Sequence, residues 1–196
     1  MIRADVTEFY YITPIENMPS ILEHGILSHT LATPLKPTSL AMAEIQERRQ
    51  NKQIPGARRL HEYANLYFDA HNPMLCKIQT KNDVICVLRI DASVLDLPEV
   101  IISDHNAACN ITRFLTVEQG LNLIKKDRIF AQYWTHPGDP NDEEKHKHEK
   151  CAEVLIPDKI EPRFILGAYV ANEAALSNFQ KLNVGLPVLI KSDIFF

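Results

Sequence analysis

The chain has few glycines, few cysteines and no long apolar run, and each shortage excludes a class of protein. Only 6 of its 196 residues are glycine, and no Gly/Ser-rich stretch or internal repeat divides it, which excludes collagen-like, disordered and solenoid architectures. No apolar run approaches the roughly 20 residues that cross a bilayer, so we expect no membrane partner. With 45% hydrophobic residues, the composition predicts one domain over residues 1–196.

Cysteine spacing and charge indicate the redox state of the thiols and limit the kind of site that could bind a polyanion. The four cysteines are unevenly spaced and form no CxxC pair, a pattern that favours reduced thiols over a disulfide framework. The first residues lack an apolar leader, and we therefore expect a cytoplasmic protein. The formal net charge is -4, so any site for a polyanion must be a local patch.

The predicted strands do not alternate regularly with helices, and this order predicts an α+β fold with a mixed or antiparallel sheet. We expect loops over 51–62 and, because it is almost wholly polar, over 135–149. Strands are expected over 7–13, 66–68, 83–91, 99–103, 152–156 and 164–170 and near 188; helices are expected over 17–25, 39–50, 73–75, 116–124 and 172–182.

Two helix boundaries carry clear signals. Asn17 can cap a helix that tolerates Pro19 in its first turn, and Gly25 can end that helix with a positive φ. Thr116 and Gln119 have the spacing of a capping box. These signals predict where two helices begin or end.

A cluster of cations is the one basic patch in an acidic chain. Five lie within twelve residues with no acid among them. Their guanidinium and ammonium groups suit phosphate oxygens of a dinucleotide or a nucleic acid, although a solvated helix end explains such a cluster equally well. The five are Arg48, Arg49, Lys52, Arg58 and Arg59.

Glu153 is an acid placed directly before the apolar residues 154–156. A carboxylate directed toward an apolar face is costly unless it is paired or used in chemistry. It is either a surface residue of an edge strand or a site residue, and periodicity alone favours the edge strand.

Histidines and a cysteine surround the polar segment 135–149. The spacing of His146, His148 and Cys151, with His136 nearby, could supply ligands to Zn²⁺. No second ligand pair has regular spacing, and we predict no metal.

Four separated segments, read in order, resemble the DarT family of DNA ADP-ribosyltransferase toxins. No one of them is decisive without the others, and together they cover roughly residues 9–170. They are the segment 10–25 (YYITPIENMPSILEHG); Arg48-Arg49 with 61–68 (HEYANLYF) and 72–75 (NPML); 103–108 (SDHNAA), followed by Phe114 and Trp134; and 151–156 (CAEVLI).

The resemblance implies an ADP-ribosyltransferase fold, with a split mixed or antiparallel sheet, flanking helices and NAD in the central cleft. The implied reaction transfers ADP-ribose from NAD, as co-substrate, to a base in single-stranded DNA and releases nicotinamide. It also implies a toxin paired with a DarG-like macrodomain antitoxin. Two alternatives stay open: the same fold with an RNA or protein acceptor, and a non-catalytic nucleotide-binding module.

The resemblance also assigns roles. Glu153 matches the catalytic glutamate, a group that can bind a ribose hydroxyl and stabilise an oxocarbenium-like centre. Arg49 or Arg48 is expected to assist, with Arg49 preferred. The residues expected to bind NAD are Tyr11, Thr13, Asn17, Gly25, Arg49 and Tyr67. Those expected to contact nucleic acid are Arg48, Lys52, Arg58, Arg59, Tyr63, Trp134 and Cys151, with Tyr133 a further stacking platform.

The chain departs from the family pattern at two site positions. Pro14 stands where many relatives have histidine, and Cys151 stands where they have glutamine, two residues before the catalytic glutamate. A cysteine lacks the amide that reads a base edge through paired hydrogen bonds. Thymine and guanine are therefore both open as the base that is modified.

Overall fold

The computed structural model describes residues 1–196 and contains ten strands. They are β1 (Glu8–Pro14), β2 (Ile26–Leu27), β3 (Tyr63–Tyr67), β4 (Ile85–Asp91), β5 (Ile101–Ser103), β6 (Phe114–Leu115), β7 (Glu153–Pro157), β8 (Lys159–Ile160), β9 (Ile165–Val170) and β10 (Val188–Ile190). The apolar segments predicted as strands are therefore strands, although β3 begins three residues earlier than expected.

Eight α-helices flank the sheet, and none is long and apolar enough to cross a membrane. They are α1 (Met18–His24), α2 (His29–Ala32), α3 (Ala43–Gln50), α4 (Pro73–Lys77), α5 (Val117–Leu123), α6 (Lys126–Ile129), α7 (Pro140–Lys150) and α8 (Glu173–Gln180). A 3₁₀ helix (Leu60–Glu62) ends the predicted loop 51–62.

The helix boundaries follow local chemistry. Thr116 and Gln119 form the predicted capping box, and Asn172 caps α8 by accepting from the Ala175 N–H. Gly25 ends α1 at φ +90°. A β-carbon at Gly25 would lie 2.3 Å from the Ile160 carbonyl oxygen, so both the backbone angle and the close contact with β8 require glycine here.

The main sheet has eight strands in the order β10-β9-β4-β1-β3-β7-β5-β6. Only β9 and β10 are parallel, and every other pairing is antiparallel. Strands β2 and β8 form a separate antiparallel pair. This architecture confirms the predicted α+β fold with a mixed, mostly antiparallel sheet.

The main sheet is split between β1 and β3. These two strands share a single residue pair, Tyr10 opposite Tyr67, whereas β1 pairs with β4 along its whole length and β3 pairs with β7 over five residues. The sheet therefore consists of two four-stranded halves that meet at one point, as predicted.

The two faces of the sheet pack differently. One face carries the main core, a cluster of 29 buried residues that includes Phe9, Leu88 and Val154. The other face carries two smaller clusters, one around Ile12 and Val87 and the other around Leu155. Because neighbouring residues of a strand point to opposite faces, Glu153 shares the second face with Leu155.

The prediction of a loop over 135–149 is wrong, because most of it forms α7. The side chain of Asp139 accepts from the Asp142 N–H, and Pro140 occupies the first turn, which is a strong helix start. Ion pairs four residues apart, such as Lys147 with Glu143 at 2.8 Å, stabilise the exposed surface. His146 and Lys150 are buried, so polar side chains themselves form the inner face.

Candidate active site

Glu153 lies at the start of β7, in the interior of the sheet beside its split. It stands opposite Tyr67 of β3 and opposite Ser103 of β5. Residues opposite each other in antiparallel strands share a face, so these three side chains belong to one row that Tyr10 continues across the split. The edge-strand interpretation of Glu153 is therefore wrong.

The carboxylate of Glu153 is fully buried and held by two groups. The guanidinium of Arg49 donates from Nη1 to Oε1 at 3.1 Å and to Oε2 at 3.0 Å. The backbone N–H of Ala107 donates to Oε1 at 2.8 Å. Since a buried carboxylate must be paired, these contacts explain how the charge is tolerated. They also make the oxygens unlike, because Arg49 alone contacts Oε2.

Helix α3 directs its two arginines to different surroundings. Arg49 is buried with Glu153, whereas Arg48 remains exposed and pairs with Glu44 one turn earlier. Gln46 on the same helix accepts from His61 Nε2 at 3.0 Å, which ties α3 to the 3₁₀ helix before β3. Of the two arginines, only Arg49 meets the predicted catalytic glutamate.

The segment 103–113 supports Glu153 from the other side. The Glu153 N–H donates to Ser103 Oγ at 3.1 Å, and that hydroxyl donates to the His105 carbonyl at 2.8 Å. Asp104 holds the far end by accepting from Arg113 N–H and Nε at 2.8 and 2.7 Å. The segment is thus a closed loop whose inner surface presents the Ala107 N–H.

Tyr67 and Cys151 lie in the same low-polarity environment as Glu153. Burial, and then the negative charge of Glu153, raise the pKa of Tyr67 well above its ordinary value. The same two causes raise the pKa of the Cys151 thiol to about 12. Both groups are therefore neutral near pH 7, and Cys151 is a buried thiol rather than a reactive nucleophile.

Asn17 acts on a neighbouring loop rather than as a side-chain cap of α1. Its amide donates to the Thr38 carbonyl at 2.9 Å and accepts from the Thr38 N–H at 3.2 Å. It also contacts Thr13 Oγ1 at 3.4 Å. The pair of predicted NAD-binding residues Thr13 and Asn17 therefore anchors the exposed segment that leads into α3.

The remaining predicted NAD-binding residues lie in different places. Tyr11 packs against the main core, on the sheet face opposite to Glu153. Gly25 lies at the α1–β2 junction, where its conformation and its contact with Ile160 account for the residue. Neither contacts Arg49 or Glu153, and their part in NAD binding stays a prediction.

The structure divides the predicted basic patch. Arg58 pairs with Asp158 at 2.8 Å and with Glu99 at 2.9 Å, at the end of β7 remote from Glu153. Arg59 is exposed and has no ion pair, and Lys52 donates to the Cys109 carbonyl. The five cations therefore do not form one free surface, because acids and carbonyls of the protein engage four of them.

The predicted stacking residues differ in accessibility. Tyr63 is buried in the cluster around Leu155 and presents no free ring. Trp134 is partly exposed and packs beside His71 and Phe196, with ring centroids at 6.0 and 5.7 Å. Tyr133 is 71% exposed. Stacking on a nucleic-acid base is thus geometrically open to Tyr133 and Trp134 but not to Tyr63.

The histidines near the polar segment make hydrogen bonds with one another. His136 Nε2 lies 2.7 Å from His146 Nδ1, and His146 Nε2 lies 2.8 Å from the Arg128 carbonyl. Because a carbonyl only accepts, His146 Nε2 carries a proton. Burial lowers the pKa of His146, so the ring is neutral near pH 7 and accepts from His136 at Nδ1. The structure has no group of three or more His, Cys, Asp and Glu side chains arranged for a metal ion.

Sequence reasoning missed the backbone contribution to the site. Ala107 acts through its N–H, which no residue-type pattern reveals, and the supporting role of Ser103 depends on strand register. The only signal for both was the resemblance of segment 103–108 to a family segment.

Comparisons with known proteins agree over almost the whole chain. The family described as "ssDNA thymidine ADP-ribosyltransferase, DarT" matches residues 10–196. One relative is a fusion protein of Thermosipho africanus described as "DNA ADP-ribosyl transferase-DNA ADP-ribosyl glycohydrolase fusion protein". It is 31% identical over an alignment of 202 positions, which includes 96% of this chain and 49% of the fusion. The chain therefore spans about half the length of that relative.

Solved structures give the same answer. Thermosipho africanus DarTG in complex with ADP-ribose superposes with a TM-score of 0.83 at 30% identity, covering 97% of this chain and 51% of that one. Thermus sp. 2.9 DarT in complex with ADP-ribosylated ssDNA superposes with a TM-score of 0.78 at 26% identity, covering 98% and 97%. The same Thermus protein with NAD+ gives 0.75 at 25% identity, covering 97% and 98%. By sequence and by fold, the chain belongs to the DarT family.

Proposed function

We propose that this protein is an NAD-dependent ADP-ribosyltransferase that modifies a base in single-stranded DNA. The observation that carries the proposal is the buried contact between Arg49 and Glu153 in a chain of the DarT family. Two structures of one relative support the substrates, since Thermus sp. 2.9 DarT is solved with NAD+ and with ADP-ribosylated ssDNA.

Glu153 stabilises charge as the bond to nicotinamide breaks. Its Oε2, which Arg49 alone contacts, can accept a hydrogen bond from a hydroxyl of the nicotinamide ribose. The bond between ribose C1′ and the nicotinamide nitrogen then breaks, and nicotinamide leaves with the electron pair. The oxocarbenium-like ribose that forms is stabilised by the fixed negative charge.

Arg49 assists the acceptor. A ring nitrogen of the base attacks C1′ and loses its proton to solvent. The guanidinium stabilises the negative charge that develops on the base and, through its bond to Oε1, keeps the carboxylate oriented. Arg48, which is exposed and paired with Glu44, is left for the DNA backbone.

NAD is expected to bind along the split in the sheet. Thr13 and Asn17 lie where β1 passes into α1, and Tyr67 stands beside Glu153. We assign NAD contacts to these three residues and to Arg49. No metal is assigned to the reaction, because charge stabilisation by Glu153 and Arg49 suffices for this chemistry.

Thymine is the proposed target base, and guanine is the alternative. The family description names thymidine, whereas Cys151 replaces the glutamine that the family pattern has near the catalytic glutamate. The buried, neutral thiol of Cys151 offers no paired hydrogen bonds to any base.

A relative of the same family supports a partner that reverses the modification. The Thermosipho relative joins a transferase to a DNA ADP-ribosyl glycohydrolase in one chain. We propose that this protein is the toxin of a toxin-antitoxin pair and that a DarG-like macrodomain protein removes its product.

Labelled NAD and single-stranded oligonucleotides with one reactive base type each test the proposal. We expect label on the thymine oligonucleotide, none on duplex DNA, and loss of label with Glu153→Gln. Removal of label by a DarG-like macrodomain would support the partner. Label on guanine alone would make guanine the target base. Label only on RNA or protein would overturn the proposal that DNA is the acceptor. NAD binding without any transfer would favour the non-catalytic module.

A further inference from the structure

Lys52 has an environment unlike that of the other cations near the site. Its ammonium donates to the Cys109 carbonyl and lies over the ring of Phe114, 5.4 Å from the centroid. Burial, and the positive charge of Arg49, lower the pKa of Lys52. The carbonyl and the ring together hold the ammonium against the protein.

The backbone of Lys52 is fixed as well as its side chain. Its N–H donates to the Arg49 carbonyl at 3.2 Å, and its carbonyl accepts from the Leu60 N–H at 2.9 Å. The residue therefore moves with the end of α3, which carries Arg49. Its ammonium reaches from there to the segment 103–113.

These contacts close a ring around the catalytic carboxylate. Arg49 contacts Glu153, Glu153 accepts from the Ala107 N–H, Ala107 is two residues from Cys109, and Cys109 accepts from Lys52. Lys52 returns to Arg49 through one backbone hydrogen bond. The contact between Lys52 and Cys109 joins the two supports of Glu153 by a hydrogen bond, beside the apolar cluster in which Ile54 and Leu60 pack with Ala107.

We propose that Lys52 is a positioning residue that fixes segment 103–113 against α3 and thereby holds Arg49 and the Ala107 N–H at their places on Glu153. This inference rests on the proposed function and replaces the predicted role of Lys52 in DNA binding. Lys52 affects the turnover step, because a misplaced Glu153 carboxylate weakens charge stabilisation in the transition state more than it weakens substrate binding.

The test compares Lys52→Met with Lys52→Arg, and with Lys125→Met as a matched control at an exposed lysine that has no ion pair. Methionine keeps the apolar stem but donates no hydrogen bond. Arginine can donate to the carbonyl and stack on the ring. For each protein, kcat and KM for single-stranded DNA, the salt dependence of DNA binding and the hydrogen exchange of the Ala107 amide are measured.

We expect Lys52→Met to lower kcat by about 10- to 100-fold with KM for DNA and the salt dependence unchanged, and to speed exchange at Ala107. Lys52→Arg should restore most of both losses, and Lys125→Met should match the wild type. A raised KM with unchanged kcat and a weaker salt dependence would overturn the proposal in favour of a phosphate contact. Unchanged kinetics with unchanged exchange would also overturn it.

A separate readout and a second variant keep the test decisive. If the wild type transfers no ADP-ribose, the proposed function fails, and the exchange of Ala107 alone then decides whether Lys52 fixes the segment. If Lys52→Met does not fold, Phe114→Leu replaces it, since that change removes the ring beneath the ammonium. It should lower kcat and the protection of Ala107 in the same direction, and wild-type values for both would contradict the proposal.

Discussion

The two oxygens of the Glu153 carboxylate have different neighbours, and this difference organises the chemistry at the residue scale. Oε1 accepts from Ala107 and Arg49, whereas Oε2 accepts from Arg49 alone. One oxygen therefore anchors the side chain while the other has capacity for a ribose hydroxyl. The same burial that strengthens these contacts makes the loss of either charge costly.

The first prediction concerns the stability of this pair. Arg49→Met leaves the Glu153 carboxylate buried without its cation and should lower the free energy of unfolding by about 3 to 5 kcal/mol. Arg49→Met with Glu153→Gln should cost less than Arg49→Met alone, because no buried charge remains. Urea unfolding of the single and double variants measures this.

Arg48→Met is the matched control for that experiment. Arg48 is the neighbouring arginine, but it is exposed and its pair with Glu44 is open to solvent. Its removal should change the free energy of unfolding by no more than about 0.5 kcal/mol. Equal costs for the two arginines would contradict a buried pair.

His61 gives a prediction about pH. Burial, and then the positive charges of His29 and Arg49, lower the pKa of His61 to about 4 in the folded protein. The unfolded chain binds a proton at this histidine below about 6.5, so it binds more protons than the folded chain between these values. Stability contributed by neutral His61 is therefore lost as the pH falls from about 6.5 toward about 4.

His61→Gln should weaken this pH dependence. A glutamine amide can still donate to Gln46, but it does not titrate. Urea unfolding across that pH window should show a shallower loss of stability in the variant than in the wild type. The same slope in both proteins would show that His61 does not titrate as described.

The individual residues of the site were easier to predict from the sequence than the contact between Glu153 and Arg49. Resemblance assigned Glu153 and preferred Arg49 over Arg48, but 104 residues separate the two. Only strand register and the direction of α3 bring them together. The acid-free run of cations did not reveal which of them would meet protein acids, because Glu99 and Asp158 are distant in sequence.

At the scale of elements, local sequence signals predicted the helix boundaries that depend on local hydrogen bonds. Thr116 and Asn172 cap their helices with side-chain hydrogen bonds, whereas Asn17 precedes α1 without one. Helix α7 was missed because hydrophobic periodicity is the main signal of a helix, and α7 has polar residues on every face. Its inner face is formed by Lys150, which donates at 2.8 Å to the carbonyls of both Ile129 and Ala131.

Gly25 gives the prediction at this scale. Gly25→Ala forces a side chain into a backbone region open mainly to glycine and against the Ile160 carbonyl. It should lower the free energy of unfolding by about 1 to 3 kcal/mol, measured by urea unfolding. If Gly25 serves only the α1–β2 junction, the folded variant should bind NAD with the wild-type affinity. A selective loss of NAD affinity at unchanged stability would instead support the predicted cofactor contact.

At the scale of the whole molecule, the split sheet and the divided charge determine how a substrate can approach. The halves of the sheet meet only at Tyr10 and Tyr67, and Glu153 stands beside that point. Composition predicted one domain and the order of segments predicted an α+β fold, but the position of the split depends on which strands pair. No sequence pattern in one strand specifies its neighbour.

The distribution of charge predicts a weak salt dependence of DNA binding. The net charge is -4, and of the five clustered cations only Arg59 and the solvent-exposed Arg48 are available to phosphates. Each phosphate contact on a single strand contributes about -0.7 to the slope of log K against log salt. We expect a slope of about -1 to -2 in a titration with labelled oligonucleotide. A slope of about -3.5 would mean that all five cations contact phosphates.

The transfer by Glu153 is tested most directly by mass spectrometry of a single-stranded oligonucleotide with one thymine, after incubation with NAD and either the wild type or Glu153→Gln. We expect the wild type to add one ADP-ribose unit, located on the thymine by fragmentation. Glu153→Gln should lower the rate by about 10²- to 10³-fold while remaining folded. Equal addition by both proteins would show that the Glu153 carboxylate does not drive the transfer.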